Sequence, residues 1–246
     1  MSFERPLAGS GPPGSEPPPM QTSAGEPETT SPSLRLQILS TEHWSLLASR
    51  SLAWNEAFSR AGMFLATLSG AIVALALVAQ ATEFGEGFRL FALVILPVVL
   101  FIGIGTNLRM GISNYHDARC VIGMNRIRAA YLEMAPELQR YFVMGTTDDE
   151  RGVQLTMAFL PGTSLLVQMV ASTPLLVTVL NAVLAAAIVA LLVLQVGGTT
   201  LLALALGAVG FIAIIAWFTW YANREIKGLI AMNPPLFPGP TTEPAP

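Results

Sequence analysis

The chain has 246 residues, of which 52% are apolar and only 12% charged, with a net charge of -3 and a mean hydropathy of +0.57. An ordinary soluble domain carries about 25% charged residues, so this composition points to an integral membrane protein. The acidic balance leaves no basic excess to hold nucleic acid, and a single cysteine, Cys120, excludes an intramolecular disulfide.

Residues 1–33, MSFERPLAGSGPPGSEPPPMQTSAGEPETTSPS, are rich in Pro, Gly, Ser and Glu and lack the apolar core of a signal peptide. They bury too little apolar surface to offset the entropy of ordering, and read as a disordered tail.

Residues 34–60 read as a cytoplasmic amphipathic helix. Ser40 suits the N-cap of a helix starting near residue 41, with Leu39 and Trp44 as a hydrophobic staple. Trp44, Leu47, Trp54 and Phe58 give it an apolar surface that needs a partner. His43, in the first turn, is read as a partly exposed helix residue rather than a ligand or proton carrier. Glu56 and Arg60 are four apart in the favourable order for a surface pair.

Residues 61–110 form a first transmembrane hairpin, with spans at 61–81 and 90–107 joined by TEFGEGFR. Pro97 is a candidate kink, and Gly103 and Gly105 add local flexibility. A helix is the only suitable span, because lipid offers no partner to an unpaired backbone polar group.

Residues 111–172 form a cytoplasmic helical segment, opened by SNYHDARCVIGMNRIRAAYLEMAPELQRYF. Steps of four and three from Cys120 reach Met124, Ile127, Tyr131, Met134, Leu138 and Tyr141. All are apolar or amphipathic, as in a coiled-coil-like packing or oligomerisation seam. Pro136 ends one helix near Ala135 and starts another. Gly145 is a helix stop, and Thr147 caps a new helix whose first turn holds Asp148, Asp149 and Glu150. Three consecutive acids do not converge on one cation. Residues 153–171 are apolar but broken by Pro161 and Gly162, and lie at the membrane interface or fold back on the cytoplasmic helices.

Residues 173–222 form the second hairpin, with spans at 174–196 and 200–221 joined by GGT. No Asp, Glu, Lys, Arg or His lies inside any of the four spans, which argues against a carboxylate proton relay. Ala203 and Gly207, and the row Ala182, Ala186 and Ala190, allow close helix approach. Asn181 and Thr178 either line a polar path or, preferably, hydrogen-bond a neighbouring helix. Residues 223–246 are a cytoplasmic tail, and their end, NPPLFPGPTTEPAP, reads as a second disordered stretch.

Of the thirteen Lys and Arg residues only Arg89 lies in a hairpin turn, so the N-terminus, central segment and C-terminus are assigned to the cytoplasm. Trp217, Trp220 and Tyr221 close the fourth span as interfacial aromatics.

Catalytic motifs are missing: no phosphate-binding glycine loop, no GxSxG, no HExxH and no paired CxxC. His43, His116, Asp117 and Cys120 make a conceivable metal set, but Cys120 already has a place on the apolar seam. No catalytic residue, cofactor or metal is assigned.

The run LQILSTEHWSLLASRSLAWNEAFSRAGMFLATLSGAIVALALVAQ resembles a family of bacterial, notably actinobacterial, multi-pass membrane proteins with no assigned activity, over residues 34–160. The order of cytoplasmic helix, membrane hairpin and cytoplasmic helix is also similar to SLATT-type effectors, a likeness that implies a membrane pore. The second hairpin departs from that layout. The expectation is therefore an all-α integral membrane protein of the bacterial plasma (inner) membrane. It has four transmembrane helices in two hairpins, with cytoplasmic helices before and between them. The expected role is non-enzymatic, as a homo-oligomer or the partner of another membrane protein; an oligomeric pore or channel is the alternative.

Overall fold

A computed structural model describes residues 30–157, 167 and 172–239. Among them every regular element is helical: α1 (Pro32–Thr82), α2 (Glu86–Met134), a 3-10 helix (Pro136–Tyr141), α3 (Glu150–Thr156), α4 (Thr173–Gln195) and α5 (Thr200–Met232). Four of these, α1, α2, α4 and α5, are long and apolar enough to cross a membrane. Most of the apolar stretch at 153–171 lies outside the described residues.

Helix α1 begins earlier than the sequence suggests. Ser40, the expected N-cap, lies inside it. Ser31 is the cap instead, its hydroxyl accepting from the Leu34 N–H at 3.4 Å, and Pro32 occupies the first turn. Proline there loses no hydrogen bond, and the following LRLQIL holds no helix breaker. No helix end falls at 60/61 or at 110/111, so each of the first two apolar segments is continuous with its polar neighbour. At about 1.5 Å per residue, α1 and α2 are rods of roughly 75 Å. Helix α2 runs through Pro97 without interruption and ends at Met134, two residues before Pro136. The segment from Pro136 is a 3-10 turn rather than a second α-helix.

Helices α1 and α2 lie side by side and antiparallel along their whole length. Arg35 meets Glu133, Arg50 meets Asp117, Glu56 meets Arg109 and Phe64 packs at Gly103. Their connection is only Glu83–Gly85, tighter than the TEFGEGFR link. It puts two non-glycine residues, Glu83 and Phe84, in the left-handed region at φ 49° and 59°. Glu83 there caps α1, its N–H donating to the Ala79 carbonyl. The second turn uses Gly197 at φ 85°, a conformation glycine adopts without steric cost.

Helix α4 packs against both α2 and α5. Its small residues meet α5 as their spacing suggests: a Cβ on Gly207 would sit 3.1 Å from the Ala186 carbonyl oxygen and 3.6 Å from Ala190 Cβ. On the other side, α4 meets α2 through polar groups. Asn107 Nδ2 donates to Thr178 Oγ1 at 2.6 Å, and that hydroxyl donates in turn to the Pro174 carbonyl at 2.8 Å. Thr178 thus bonds a neighbouring helix. Asn181 is fully buried, yet neither side-chain polar atom has a hydrogen-bond partner. Its oxygen presses onto Gly103, where the missing Cβ leaves room for Asn181 and for the Phe64 ring.

The core is built where these helices converge, around Phe64, Val99 and Val177, each at most 1% exposed. Its centre depends on Gly103. A Cβ there would overlap Asn181 Oδ1 and stand 2.7 Å from Phe64 Cε2. We therefore predict that Gly103→Ala destabilises the bundle by about 1–3 kcal/mol, as overpacking does. Gly70→Ala, where a Cβ meets nothing within 4 Å, is the matched control and leaves the midpoint unchanged or raised. Adding Asn181→Ala to Gly103→Ala restores part of the loss. Thermal unfolding in detergent checks all three; an unaltered Gly103→Ala midpoint would contradict this packing.

Candidate functional site

Beyond the apolar stretches, α1 and α2 continue together as a two-helix stalk, residues 32–60 against 108–134. Most of the side chains with chemical potential lie on it, and most of them are occupied with each other.

At its base, Glu56 accepts from two guanidinium groups. Arg109 Nε stands 2.9 Å from Oε1, Arg109 Nη2 2.5 Å from Oε2, and Arg60 Nε 3.0 Å from Oε1. The expected Glu56–Arg60 pair is thus one half of a shared site. Hydrogen bonds from Arg109 first, then Arg60, hold the Glu56 carboxyl below its ordinary range.

Asp117 lies one third of the way along the stalk and is only 1% exposed. Its Oδ1 accepts from Arg50 Nε at 2.5 Å and from Trp54 Nε1 at 3.0 Å; Oδ2 faces Arg50 Nη2 at 3.4 Å. This employment explains why HDARC does not assemble a reactive centre. The His116 Nε2 to Cys120 Sγ distance is 3.6 Å, but Asp117 turns to α1. Burial, reinforced by the Asp117 charge, pushes the Cys120 thiol up, which keeps it protonated and unreactive. Burial and then the Arg128 charge hold His43 below the usual imidazole value, and its Nδ1 is buried without a partner. Among the described residues no three His, Cys, Asp or Glu side chains come together as metal ligands.

The seam residues divide into two groups. Cys120, Met124 and Ile127 are buried, at 2%, 2% and 6% exposure, where α1 runs against α2. Leu46 of α1 closes over Gly123 between them; a Cβ there would stand 2.9 Å from Leu46 Cδ1. Tyr131 and Met134 are half-buried, and Leu138 and Tyr141 are 40% and 64% exposed. The single helical face therefore stops at Met134, because Pro136 shifts the chain into 3-10 geometry. Tyr131, Met134 and Leu138 instead line a groove of about 540 Å³ at the stalk tip, with Leu36, Ala135 and Phe142.

Alongside α2 lies the segment 142–157. Asn125, fully buried, organises it: Nδ2 donates to the Thr147 carbonyl, and Oδ1 accepts from Arg128 Nη1 and Thr156 Oγ1, each at 2.8 Å. Gly145 is a point of close approach rather than a helix stop, since a Cβ would strike the Gly152 carbonyl. Asp149, not Thr147, caps α3, accepting from the Gly152 N–H at 2.8 Å. Asp is the stronger cap beside a helix N-terminus, and Thr147 donates its hydroxyl to it.

The three acids point apart. Glu150 accepts from Gln154, while Asp148 and Asp149 hold the chain that follows α5. The Leu236 and Phe237 N–H groups donate to Asp148 at 2.8 Å each, and the Gly239 N–H donates to Asp149 at 2.9 Å. Arg126 joins both partners, donating to Asp148 Oδ2 at 2.8 Å and to the Pro234 carbonyl at 2.9 Å. The expected solvated tail is therefore held over residues 233–239, while 240–246 lie outside the described residues. Composition conceals this contact, since the tail is held by its backbone and only the carboxylates appear in the sequence.

No protein-family model, curated protein or solved structure matches the chain.

Two outcomes follow from these charges. Asp117→Ala strands Arg50 and the Trp54 N–H; a broken buried pair costs about 3–5 kcal/mol. Replacing both partners, Arg50→Met with Asp117→Leu, recovers most of that loss in thermal melts, and no recovery would contradict the pairing. The second concerns pH. Burial raises the Asp148 and Asp149 pKa values, but the backbone N–H groups, together with Arg126 for Asp148, outweigh it and hold both below 3.8. A carboxyl depressed in the folded state stabilises above its unfolded pKa and loses that contribution as pH falls through its folded value. The carboxylates therefore keep their contribution to the tail contact from neutral pH to about pH 4 and lose it only at lower pH, as amide exchange of residues 236, 237 and 239 will show.

Proposed function

We propose that the chain is a non-enzymatic, multi-pass protein of the bacterial plasma (inner) membrane, with its four apolar helices inserted as two hairpins. Both termini lie in the cytoplasm, in keeping with the single basic residue, Arg89, in the hairpin turns. In this arrangement the stalk stands in the cytoplasm and the protein acts by self-association through its tip.

The observation that carries this reading is the apolar groove lined by Leu36, Tyr131, Met134 and Leu138. Tyr141 and Val143, on either side of the lining residue Phe142 in sequence, are 64% and 90% exposed. The occupant that fits is a second copy. Arg35 and Glu133, paired at 3.1 Å and each about half exposed, flank the groove with Glu137 and Arg140 nearby in sequence. A surface carrying both signs beside an apolar centre is self-complementary under two-fold symmetry. Contact with another membrane protein through the same tip is the related alternative. The layout shared with SLATT-type effectors supports a second reading, a pore assembled from several copies.

Cross-linking tests the first reading. Leu138→Cys in a Cys120→Ala background is expected to give a covalent dimer in native membranes. Met134→Glu with Leu138→Glu is expected to reduce the detergent-solubilised particle to a monomer. A wild-type chain that is monomeric at every concentration, with or without residues 1–29, refutes self-association. Ion flux in liposomes that disappears in the double Glu variant identifies the pore.

A further inference from the structure

The contact between the acids and the end of the chain has the form of a peptide-binding site. The stretch Pro234–Pro235–Leu236–Phe237–Pro238–Gly239 has only three backbone N–H groups, because three of its six residues are prolines. All three are taken: Leu236 and Phe237 donate to Asp148, and Gly239 donates to Asp149. Two carbonyls are read as well, Pro234 by Arg126 Nη2 and Phe237 by the Asp148 N–H at 3.3 Å. The receptor side is fixed to α2. The Asp148 carboxylate is completely buried, Arg126 rises from α2, and Asn125 anchors Thr147 just before the acids.

Apart from Phe237, which is half-buried, the ligand side is attached by little else: Leu236 is 63% exposed, and Pro234, Pro235 and Pro238 face solvent. Segments held by a few polar contacts and little apolar burial open at low cost. The prolines reduce the entropy lost on docking, because each fixes its own φ before binding.

We propose that Arg126, Asp148 and Asp149 form a backbone-reading site for a proline-rich peptide bent at its centre, occupied by residues 234–239 of the same chain as an exchangeable strap. The site selects its ligand by where N–H groups are present and where proline has removed them, and leaves the side chain at 236 to solvent. Docked, the strap ties the end of α5 to α2 and to the segment before α3. Released, it frees both the site and the end of α5. The inference does not depend on self-association at the stalk tip.

Hydrogen exchange on the full-length protein in detergent tests it. The amides of residues 236, 237 and 239 are expected to be protected at neutral pH. Phe237→Pro, which removes one donor beyond the end of α5, lowers protection at Leu236 and Gly239 by about tenfold or more, as loss of a hydrogen bond to a charged group implies. Asp148→Asn does the same, while Leu236→Ser leaves protection in place. A synthetic peptide of residues 232–240, added in excess, speeds exchange of the chain's own strap. Unprotected amides in the wild type, or protection unaffected by Phe237→Pro, overturn the site. Protection that millimolar peptide leaves unchanged overturns the exchange.

Discussion

One buried carboxylate sets how the two long helices meet. Asp117 has no water to solvate it, so its charge must be met by α1, and only Arg50 and Trp54 are placed to do so. Apolar contacts between rods of this length are permissive, since Ala, Leu and Val recur along both. A slip of one helical turn would carry Arg50 about 5.4 Å from its partner and leave a bare charge in the interface. The Glu56–Arg109 pair and the Gly103 notch repeat the same register further along. Everything downstream depends on it: Leu46 falls on Gly123, and Leu36 faces Tyr131 across the groove.

Hydropathy made the four apolar helices legible, because lipid-compatible segments must be long, continuous and free of charge. The approach of Ala186 and Ala190 to Gly207 was also legible, since small residues at spacings of three and four have few other uses there. Helix starts were harder to read. Ser31 and Ser40 are equally good caps in isolation, and what decides between them is Glu133 and Tyr131, residues about 100 positions away that give the first two turns something to pack on. The seam from Cys120 was visible as a pattern, but its two fates were not. A heptad pattern does not say that α1 covers its first half and leaves Met134 and Leu138 open.

The polar contacts were the least legible. Asp148 and Asp149 are written in the sequence as acids beside a helix start, which is where acids are common for ordinary reasons. Their partners are the backbone N–H groups of Leu236, Phe237 and Gly239, and no side-chain pattern announces a backbone donor. Asn125 likewise passes for a surface residue until its three partners, Arg128, Thr147 and Thr156, converge on it. The stalk therefore carries most of the long-range polar contacts, beside its apolar seam, while the apolar bundle has the Asn107–Thr178 bond.

The unbroken passage of α1 from its apolar part to Pro32 makes the stalk a lever. A helix without a joint does not absorb rotation at its base. Over the ~43 Å from residue 60 to residue 32, a tilt of about 5° at the bundle becomes a sweep of almost 4 Å at the tip. Any tilt among the apolar helices is thereby converted into displacement at a distance. The two arms of the lever are bolted together at Asp117, so they swing as one beam rather than sliding past each other.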